Sequence, residues 1–448
     1  MKYRAYWIFV FVAAVTLMRG AVQAQHNQCS QISSIANAPS NIVAQIKREN
    51  GTPLFQSFSQ NGWSTAWVIG YRYDMAKGGP MQITHAFFKN HGKNYRQVLG
   101  PSGLADIFVP YELRHPNSIP GQWESRWWSR SKNYGRLNFL SSEQLPVCSH
   151  SIKFPPSNQV IAFVHVRDRG IIWHESIANE SFSVSTTQGP SLAYQSHGAR
   201  GYELELVSTF NADNYDNILK YRFRDDGSIE FLMGATSRNL TEHEKLSHLH
   251  IPVWRLDFDI NGKANDRISV REYHLQKNIL NGKININEFN GGKEGGINWA
   301  PHKFKAILIS DSEDKISHYH VKPKSIGQVS GILNPKHDVL KFFEFDFWAT
   351  LQSSVNKKEW HWKPQNVPNA ASNKENLKSG DLVVWISTPI LHVPRTEDGF
   401  CINPQTTQIG CKNFAGWNGV AHAMYTGVVI KPRNFNKRTP FYKSHWYD

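Results

Sequence analysis

Two pairs of metal-binding residue types lie close together in the segment S-H-L-H-I-P-V-W-R-L-D-F-D-I-N-G, residues 247–262. Alternate side chains of a β-strand point to the same face, so His248 and His250 would present two imidazoles side by side, an arrangement that chelates a transition-metal ion. Asp257 and Asp259 repeat this spacing with carboxylates, whose hard oxygens suit calcium or manganese. The segment therefore predicts two different metal sites. The alternative interpretation is a chance H-x-H pair among 20 histidines, followed by an ordinary strand end and turn.

A copper ion needs more than two protein ligands, and His392 is a candidate for the third. It ends the tract D-L-V-V-W-I-S-T-P-I-L-H, residues 381–392, whose apolar centre predicts a buried strand. Asp381 begins the same tract with a carboxylate. Spacing alone does not distinguish His392 from the other histidines of the chain, so the choice of the third imidazole stays open on these residues alone.

A tyrosine between polar residues precedes a predicted hairpin. The segment N-Y-D-N, residues 214–217, leads into an apolar strand, and D-D-G-S at residues 225–228 separates that strand from the next one. Asp-Gly between two apolar runs is typical of a hairpin turn. By itself, Tyr215 in this place predicts only a packed side chain beside a turn.

Strands must position these residues, because short apolar runs bounded by Gly, Pro, Asn or Asp recur along the chain and no long helix is predicted. Aromatic residues make up 12% of the chain, which is enough to fill a broad interior between two sheets. We expect a mainly β protein built on a large antiparallel β-sandwich. The expected strands span residues 66–71, 159–165, 201–209, 220–223, 228–233, 252–260, 304–310, 339–347, 381–387 and 423–430.

The N-terminus predicts export. Lys2 and Arg4 precede an apolar run that is too short to span a bilayer comfortably, and small residues follow at the positions that a signal peptidase reads. We therefore expect a signal peptide at residues 1–24, cleaved near Ala24, and a secreted protein, extracellular or periplasmic, without a membrane span. An N-terminal extension at residues 25–60 would precede one dominant domain at residues 61–448.

Cysteine usage and charge agree with this location. Cys401 and Cys411 bracket nine residues suited to a disulfide-closed loop, which leaves Cys29 and Cys148 by elimination. The formal net charge of +14 invites a nucleic-acid partner, but the chain has no Lys/Arg block, no zinc-finger spacing and no basic helix. Nucleic acid is therefore not an expected partner.

The order of these segments resembles the catalytic domain of the copper amine oxidases, the quinone-containing primary amine oxidases. The resemblance is carried by N-Y-D-N-I, the D-G-S-I-E hairpin, H-L-H followed by R-L-D-F-D-I-N-G, and D-L-V-V-W followed by H-V-P-R-T-E-D. The segment L-A-D-I-F-V-P-Y at residues 104–111 is similar to the family's segment ahead of its active site. V-V-I-K-P-R-N-F-N-K-R-T-P at residues 428–440 is similar to its closing strand.

The resemblance implies a homodimeric enzyme that takes a primary amine and dioxygen and releases an aldehyde, ammonia and hydrogen peroxide. It implies that Tyr215 is the tyrosine oxidised to topaquinone, which reacts with the amine, and that Asn214 restrains the quinone ring. The implied copper ligands are His248, His250 and His392. The implied ligands of a second, calcium-type ion are the side chains of Asp257, Asp259 and Asp381 and the carbonyls of Phe258 and Leu382.

The catalytic base departs from the family's pattern. Where the family carries an aspartate in an F-D-A-G-E-Y-G-like stretch, residues 127–135 read W-W-S-R-S-K-N-Y-G and contain no carboxylate. Alignment on Tyr134 and Gly135 puts Arg130 at the aspartate's position, and a guanidinium cannot act as a base at ordinary pH. Alignment on residues 109–111 brings Glu124 close instead, and a glutamate in an aromatic pocket can acquire the pKa that a base needs.

Glu124 is therefore the candidate base, and a solvated glutamate in a loop is the alternative interpretation. The missing aspartate also raises a second functional hypothesis. A non-catalytic descendant would keep the sandwich and its ions and serve as a secreted binding or structural module, since a fold does not by itself determine a function.

Overall fold

The computed structural model of the protein describes residues 32–435, except residues 61–62, 74–78, 113–122, 128–135, 179–193, 213–214, 239–246, 265, 277–278, 300–304, 312–316, 326, 328, 331–337, 354–361 and 394–418. The predicted signal peptide, Cys29, Arg130, Asn214 and the loop between Cys401 and Cys411 lie outside the described residues. Within the described ranges, no helix is long and apolar enough to cross a membrane.

Strands dominate the described part of the chain, which confirms the predicted mainly β fold. They are β1 (Thr52–Gln60), β2 (Trp63–Arg72), β3 (Gln82–Lys89), β4 (Tyr95–Leu99), β5 (Gly103–Glu112), β6 (Trp123–Trp127), β7 (His150–Phe154), β8 (Gln159–Ala178), β9 (Tyr194–Ala212), β10 (Tyr215–Arg224), β11 (Ile229–Arg238), β12 (His248–Phe258), β13 (Asp266–Gln276), β14 (Ile279–Glu288), β15 (Gly295–Ile297), β16 (Ala306–Asp311), β17 (His318–Pro323), β18 (Phe347–Leu351), β19 (Leu382–Ser387), β20 (Ile390–His392) and β21 (Gly419–Arg433).

The strands form two large antiparallel sheets. The first sheet has 11 strands in the order β1-β2-β3-β4-β12-β19-β18-β15, with β20 and β5 also paired to β12 and β6 paired to β5. The second sheet has 10 strands in the order β14-β13-β16-β17-β21-β11-β10-β9-β8-β7. The hairpin predicted at D-D-G-S joins β10 to β11, which pair in register from Tyr215 with Ser237 to Phe223 with Ile229. The large antiparallel sandwich expected from the sequence is therefore confirmed.

The main core lies between the two sheets. Alternation along β10 turns Tyr221 and Phe223 inward, and both are fully buried. Trp67 of the first sheet packs on Phe223 with ring centroids 5.3 Å apart, and its indole nitrogen donates to the carbonyl of Arg224 at 2.7 Å. The hydroxyl of Tyr221 donates across the gap to the carbonyl of Met81 at 2.7 Å. These contacts satisfy the polar ends of Trp67 and Tyr221, which lets these large aromatic side chains be buried between the two sheets.

Strand β12 carries both motifs that the sequence singled out. His248 lies at its first residue and Asp257 near its last, so the two motifs are separated by roughly 30 Å along the strand. Strands β19 and β20 pair with β12 in one continuous register, with Leu382 opposite Phe258 and His392 opposite His248. The tract from residue 381 to residue 392 therefore meets one motif at each of its ends.

Short helices connect the strands, and two of them, the α-helix at Ser40–Arg48 and the 3-10 helix at Asp338–Glu344, pack on the other face of the first sheet. The α-helices are α1 (Ser40–Arg48) and α2 (Val367–Ala370), and the 3-10 helices span Ile35–Asn37, Ser142–Gln144, Phe289–Gly292, Asp338–Glu344, Pro364–Asn366, Ala371–Asn373 and Leu377–Ser379. The strand predicted at residues 339–347 is wrong, because residues 338–344 form a 3-10 helix and only Phe347 begins a strand. Phe342 and Phe343 are buried against Trp348 and Phe108, and a continuous apolar run does not distinguish such a helix from a strand.

The predicted N-terminal extension contributes directly to the first sheet. Strand β1 pairs with β2 along its whole length, from Thr52 with Tyr71 to Gln60 with Trp63. Helix α1 packs Ile42 and Ile46 onto the same sheet. Cys148 is disulfide-bonded, and its pairing with Cys29 stays a prediction because Cys29 lies outside the described residues.

Buried ion pairs stabilise the outer face of β8 to β11. Glu205 of β9 is almost fully buried and lies 2.7 Å from both His165 Nε2 and Arg222 Nε. Glu230 of β11 pairs with Arg222 at 2.8 Å and with Arg224 at 3.0 Å. Burial by itself would raise the pKa of Glu205, but the hydrogen bond from His165 and the charge of Arg222 outweigh it and lower this pKa to about 2.

We expect Glu205→Gln to lower the free energy of unfolding by about 3 kcal/mol at pH 7, because it leaves His165 and Arg222 without their carboxylate. The stabilisation by the ionised Glu205 is fully present above the ordinary glutamate pKa of 4.5, and it is lost as the pH falls towards the folded-state pKa of about 2. Urea unfolding of both proteins between these pH values should therefore show a difference that shrinks with acidity. The exposed Glu143→Gln is the control, and a difference that does not depend on pH would contradict the ionic origin.

Candidate active site

The structure brings the three histidines singled out by the sequence into one buried group. His248 and His250 come from β12 and His392 from β20, and their candidate ligand nitrogens lie within 4.8 Å of one another. All three side chains are buried. The pairing of β20 with β12 places His392 directly opposite His248, which selects it from the other histidines of the described chain as the third imidazole.

The ring geometry points ligand atoms towards one another. His248 Nε2 lies 3.4 Å from His392 Nδ1, and the ring centroids of these two residues are 4.9 Å apart at 82°. The centroids of His250 and His392 are 5.8 Å apart. Nε2 of His250 is buried and has no hydrogen-bond partner within the described part of the chain.

The chemistry of this group fits a transition-metal ion. Burial lowers the pKa of His250 well below its usual range, and the neighbouring His248 and His392 lower it further. The imidazole is therefore neutral, the form that binds metals. Three imidazole nitrogen donors suit copper or zinc better than calcium or magnesium.

Tyr215 joins the histidines from the opposite sheet. It is the first residue of β10 and is 1% exposed. Its hydroxyl lies 2.9 Å from His248 Nε2, and its ring meets the ring of His250 nearly edge-on, with centroids 4.7 Å apart at 84°. A phenol from one sheet thus reaches an imidazole group on the other, a contact that only the closed sandwich creates.

Asn217 is a polar residue beside this site that the sequence reasoning did not select. It lies two residues after Tyr215, so it shares the inward face of β10, and it is 1% exposed. Its side-chain nitrogen is buried without a hydrogen-bond partner among the described residues. Residues two apart on a strand share a face, so the sequence N-Y-D-N could have predicted Asn217 on the same side as Tyr215.

Three carboxylates meet at the other end of β12. Asp257, Asp259 and Asp381 present oxygens within 4.8 Å of one another. Phe258 and Leu382, the carriers of the two candidate carbonyl ligands, are paired across β12 and β19. Burial and the nearby carboxylates of Asp257 and Asp381 together raise the pKa of Asp259 to about 9, and burial is the largest cause. A divalent cation would offset this concentration of negative charge.

Polar neighbours and a close glycine surround the carboxylates. Asp257 accepts from the buried Arg255 at 3.0 Å, and Asp259 accepts from Gln97 at 2.6 Å. A Cβ atom at Gly100 would lie 2.6 Å from Asp259 Oδ2, so no larger residue fits there without displacing the carboxylate. Oδ1 of Asp257 and Oδ1 of Asp259 are both buried without a hydrogen-bond partner in the described residues, which fits a cation site.

We expect Asp259→Asn to stabilise the protein in the absence of divalent ions by about 1 kcal/mol or more at pH 8, since each pKa unit corresponds to about 1.4 kcal/mol. The pKa of Asp259 is about 9 in the folded protein and 3.8 for an ordinary aspartate, so ionisation of this residue destabilises the folded state increasingly between these pH values. The stability advantage of Asp259→Asn over the wild type should therefore grow with pH over this range. Thermal unfolding with chelator and then with calcium or manganese measures both effects. The variant should lose the stabilisation by the ion that wild type and the surface control Asp168→Asn retain. An unchanged response to both ions would contradict the site.

The two remaining candidate site residues are Glu124 and Asn214. The backbone of Glu124 lies in β6, opposite Tyr111 of β5, and β5 pairs with β12 on the side away from β20. Strand β6 is thus two strands from β12, a backbone separation of about 10 Å. Asn214 lies outside the described residues.

Fold and site together define a class: a β-sandwich with a buried three-histidine group and a tyrosine at its interior. The sequence profile of the copper amine oxidase enzyme domain matches residues 159–445. The chain therefore belongs to the copper amine oxidase family.

Individual relatives are distant. A primary amine oxidase of Klebsiella aerogenes is 22% identical over 428 aligned residues, which cover 81% of this chain and 53% of the relative. Among solved structures, a copper-containing benzylamine oxidase from Hansenula polymorpha is similar with a TM-score of 0.59 at 15% identity, over 86% of this chain and 60% of that one. A lysyl oxidase from Pichia pastoris is similar with a TM-score of 0.59 at 14% identity, over 84% and 52%. The chain thus spans little more than half the length of these relatives.

Proposed function

We propose that this protein is a secreted primary amine oxidase that depends on copper and on a topaquinone formed from Tyr215. It would convert a primary amine, dioxygen and water to an aldehyde, ammonia and hydrogen peroxide. The observation that carries the proposal is the 2.9 Å contact of the Tyr215 hydroxyl with His248 Nε2, inside a buried group of three histidines.

His248, His250 and His392 would hold the copper ion. When bound, the copper would let dioxygen oxidise the Tyr215 ring to a quinone, an electron sink for the amine's carbon–nitrogen bond. The protein itself positions the Tyr215 ring and excludes water from it. The contact with His248 fixes the phenol oxygen, the edge-on contact with His250 fixes the ring plane, and burial in the main core excludes bulk water from both.

Removal of the substrate's α-proton needs a base, and we assign this role to Glu124. The position of β6, two strands from the histidine-bearing strand, supports the assignment. Asn214, next to Tyr215 in the chain, would restrain the quinone ring. Arg130 has no capacity to replace the base.

The carboxylates Asp257, Asp259 and Asp381, with the carbonyls of Phe258 and Leu382, would hold a calcium or manganese ion at the opposite end of β12. This ion would support the fold rather than the chemistry, because it lies roughly 30 Å from the histidines. The signal peptide, the Cys401–Cys411 disulfide and the homodimer belong to the same proposal.

A non-catalytic metal-binding module is the second candidate, and the absence of a carboxylate from residues 127–135 favours it. Both candidates share the sandwich and its ions. They differ in whether the protein oxidises an amine.

Copper loading of the purified apoprotein in air distinguishes the two. Quinone formation should turn the protein pink and make it react with phenylhydrazine, and benzylamine or tyramine should then yield hydrogen peroxide. Glu124→Gln should keep the colour and lose turnover by about 100-fold or more, the usual scale of a general base. Colour without peroxide from the wild type would establish the non-catalytic candidate, and no colour would reject the oxidase. Full turnover by Glu124→Gln would reject only the assignment of the base.

A further inference from the structure

A second group of basic side chains lies on the second sheet, away from the metal-binding residues. On β13, β17 and β21 the core residues alternate with outward residues, as Tyr319 and Val321 of β17 and Val428 and Ile430 of β21 show. The residues between them therefore face away from the main core. Besides Arg267, which lies opposite Ser310, six of these outward residues are basic, and we call these six the basic cluster: Arg271, His318, His320, Lys322, Lys431 and Arg433.

Strand register places the basic cluster in one patch. His318 lies opposite Arg433, and His320 lies opposite Lys431. Directly opposed side chains on one face of a sheet have Cβ atoms about 5 Å apart. Arg271 comes from β13, across the intervening strand β16, where it lies opposite the small residue Ala306. Ala306 and Leu308 of this intervening strand are buried although they face outward.

The two histidines at the centre stack on each other. Their ring centroids are 4.9 Å apart at 20°, and the two Nε2 atoms are 3.0 Å apart. His320 is 5% exposed. Burial and the nearby charges of Arg271 and Arg433 together lower the pKa of His320 to about 3, and burial is the largest cause.

The arginines and lysines of the basic cluster have no compensating carboxylates among the described residues. Arg271, Lys322, Lys431 and Arg433 form no ion pair there, although β9 to β11 of the same sheet neutralise Arg222 and Arg224 with buried glutamates. The nearest acid in register is Glu288, opposite Ser269, and it pairs with Lys378 at 2.6 Å. Glu230, beyond β21, is engaged by Lys324 and two arginines.

The positive charge of the basic cluster favours anionic ligands over metal cations. H-Y-H at residues 318–320 repeats the spacing of His248 and His250, but the positive charges of the arginines and lysines around it repel a metal cation. Guanidinium groups present paired N–H donors that match the oxygens of phosphate and sulfate. We propose that the basic cluster is a binding site for a doubly charged oxyanion, a phosphate or sulfate group, either free or carried on a polysaccharide.

Calorimetry and thermal unfolding of the full chain test this proposal. Sodium phosphate and sodium sulfate are titrated against sodium chloride of equal ionic strength, and a heparin-derived oligosaccharide provides the polymer-bound sulfate. Arg271→Gln/Arg433→Gln should weaken binding by about tenfold or more, because it removes two charge-assisted contacts. Lys47→Gln/Arg48→Gln on helix α1 makes the same change in net charge outside the patch and should bind like wild type.

Each outcome bears on the proposal. Binding of inorganic phosphate or sulfate that the Arg271→Gln/Arg433→Gln variant loses identifies a site for the free anion. Binding of the oligosaccharide alone, with the same loss, identifies a polymer site. No binding of any probe, or equal weakening by both double variants, overturns the proposal. Lys431→Gln, at an exposed strand position, repeats the test if the double variant does not fold. Amine oxidase activity measured on the same samples should not change, so this inference and the proposed function can fail separately.

Discussion

Tyr215→Phe is expected to abolish the quinone. Phenylalanine keeps the ring in the main core but lacks the hydroxyl that lies 2.9 Å from His248 Nε2, so oxidation to a quinone has no starting oxygen. The copper-loaded variant should stay colourless, fail to react with phenylhydrazine and produce no hydrogen peroxide above background. Copper content measured on the same sample should match the wild type, because all three histidines remain.

Tyr221→Phe is the matched control for this prediction. Tyr221 lies on the same strand and faces the same core, and its hydroxyl donates to the carbonyl of Met81 instead of to a histidine. Loss of that hydrogen bond should cost about 1 kcal/mol of stability and leave the colour intact. A coloured Tyr215→Phe variant, or a colourless Tyr221→Phe variant with normal copper content, would contradict the assignment of the quinone to Tyr215.

His250→Ala should remove copper binding, with an affinity loss of more than about 100-fold, since even residues that only support a metal ligand cost 10–100-fold. Its imidazole is neutral, buried and one of three that converge. Titration with copper followed by paramagnetic resonance and metal analysis measures the loss, and no quinone should form.

His320→Ala provides a stringent comparison because it alters the other H-x-H motif of the chain. His320 is also buried, but it lies on the second sheet among arginines and lysines. Copper binding and colour should survive in this variant. Equal copper loss in both variants would mean that H-x-H spacing alone, rather than the convergence with His392, determines metal binding here.

The two candidate metal sites depend on one strand. Strand β12 holds His248 and His250 at one end and Asp257 at the other, and the paired strands β19 and β20 supply His392 and border Asp381. A slip of this pairing by one residue would turn His392 to the opposite face. Occupation of the carboxylate site should therefore help to keep the histidines in register, although the two sites do not touch.

The departures from the family concentrate away from this strand. Both H-x-H and D-x-D are intact, whereas the stretch with the usual aspartate has no carboxylate. The chain also spans little more than half the length of the relatives described above. The sandwich core and its central strand thus persist where the surrounding segments differ, because large buried residues such as Trp67 and Trp254 must still fit between the sheets.

The sequence by itself determined the mainly β fold, most of the central strands, the D-D-G-S hairpin and the pairing of like ligands two residues apart. These are local properties, since the alternation of side chains along a strand depends only on spacing. Local patterns also misled at residues 339–347, where an apolar run of strand-like composition forms a 3-10 helix. Either a strand or a short helix can bury such an apolar run against a sheet, so the run by itself does not distinguish between the two.

Only the tertiary structure decided which distant residues meet. His392 lies opposite His248 because β20 continues the register of β19 along β12, and Tyr215 reaches His248 only because the second sheet closes over the first. The basic cluster likewise gathers residues from three strands that are remote in the chain. Such contacts follow from strand order and sheet packing, which depend on the summed burial of the whole core and not on any single segment.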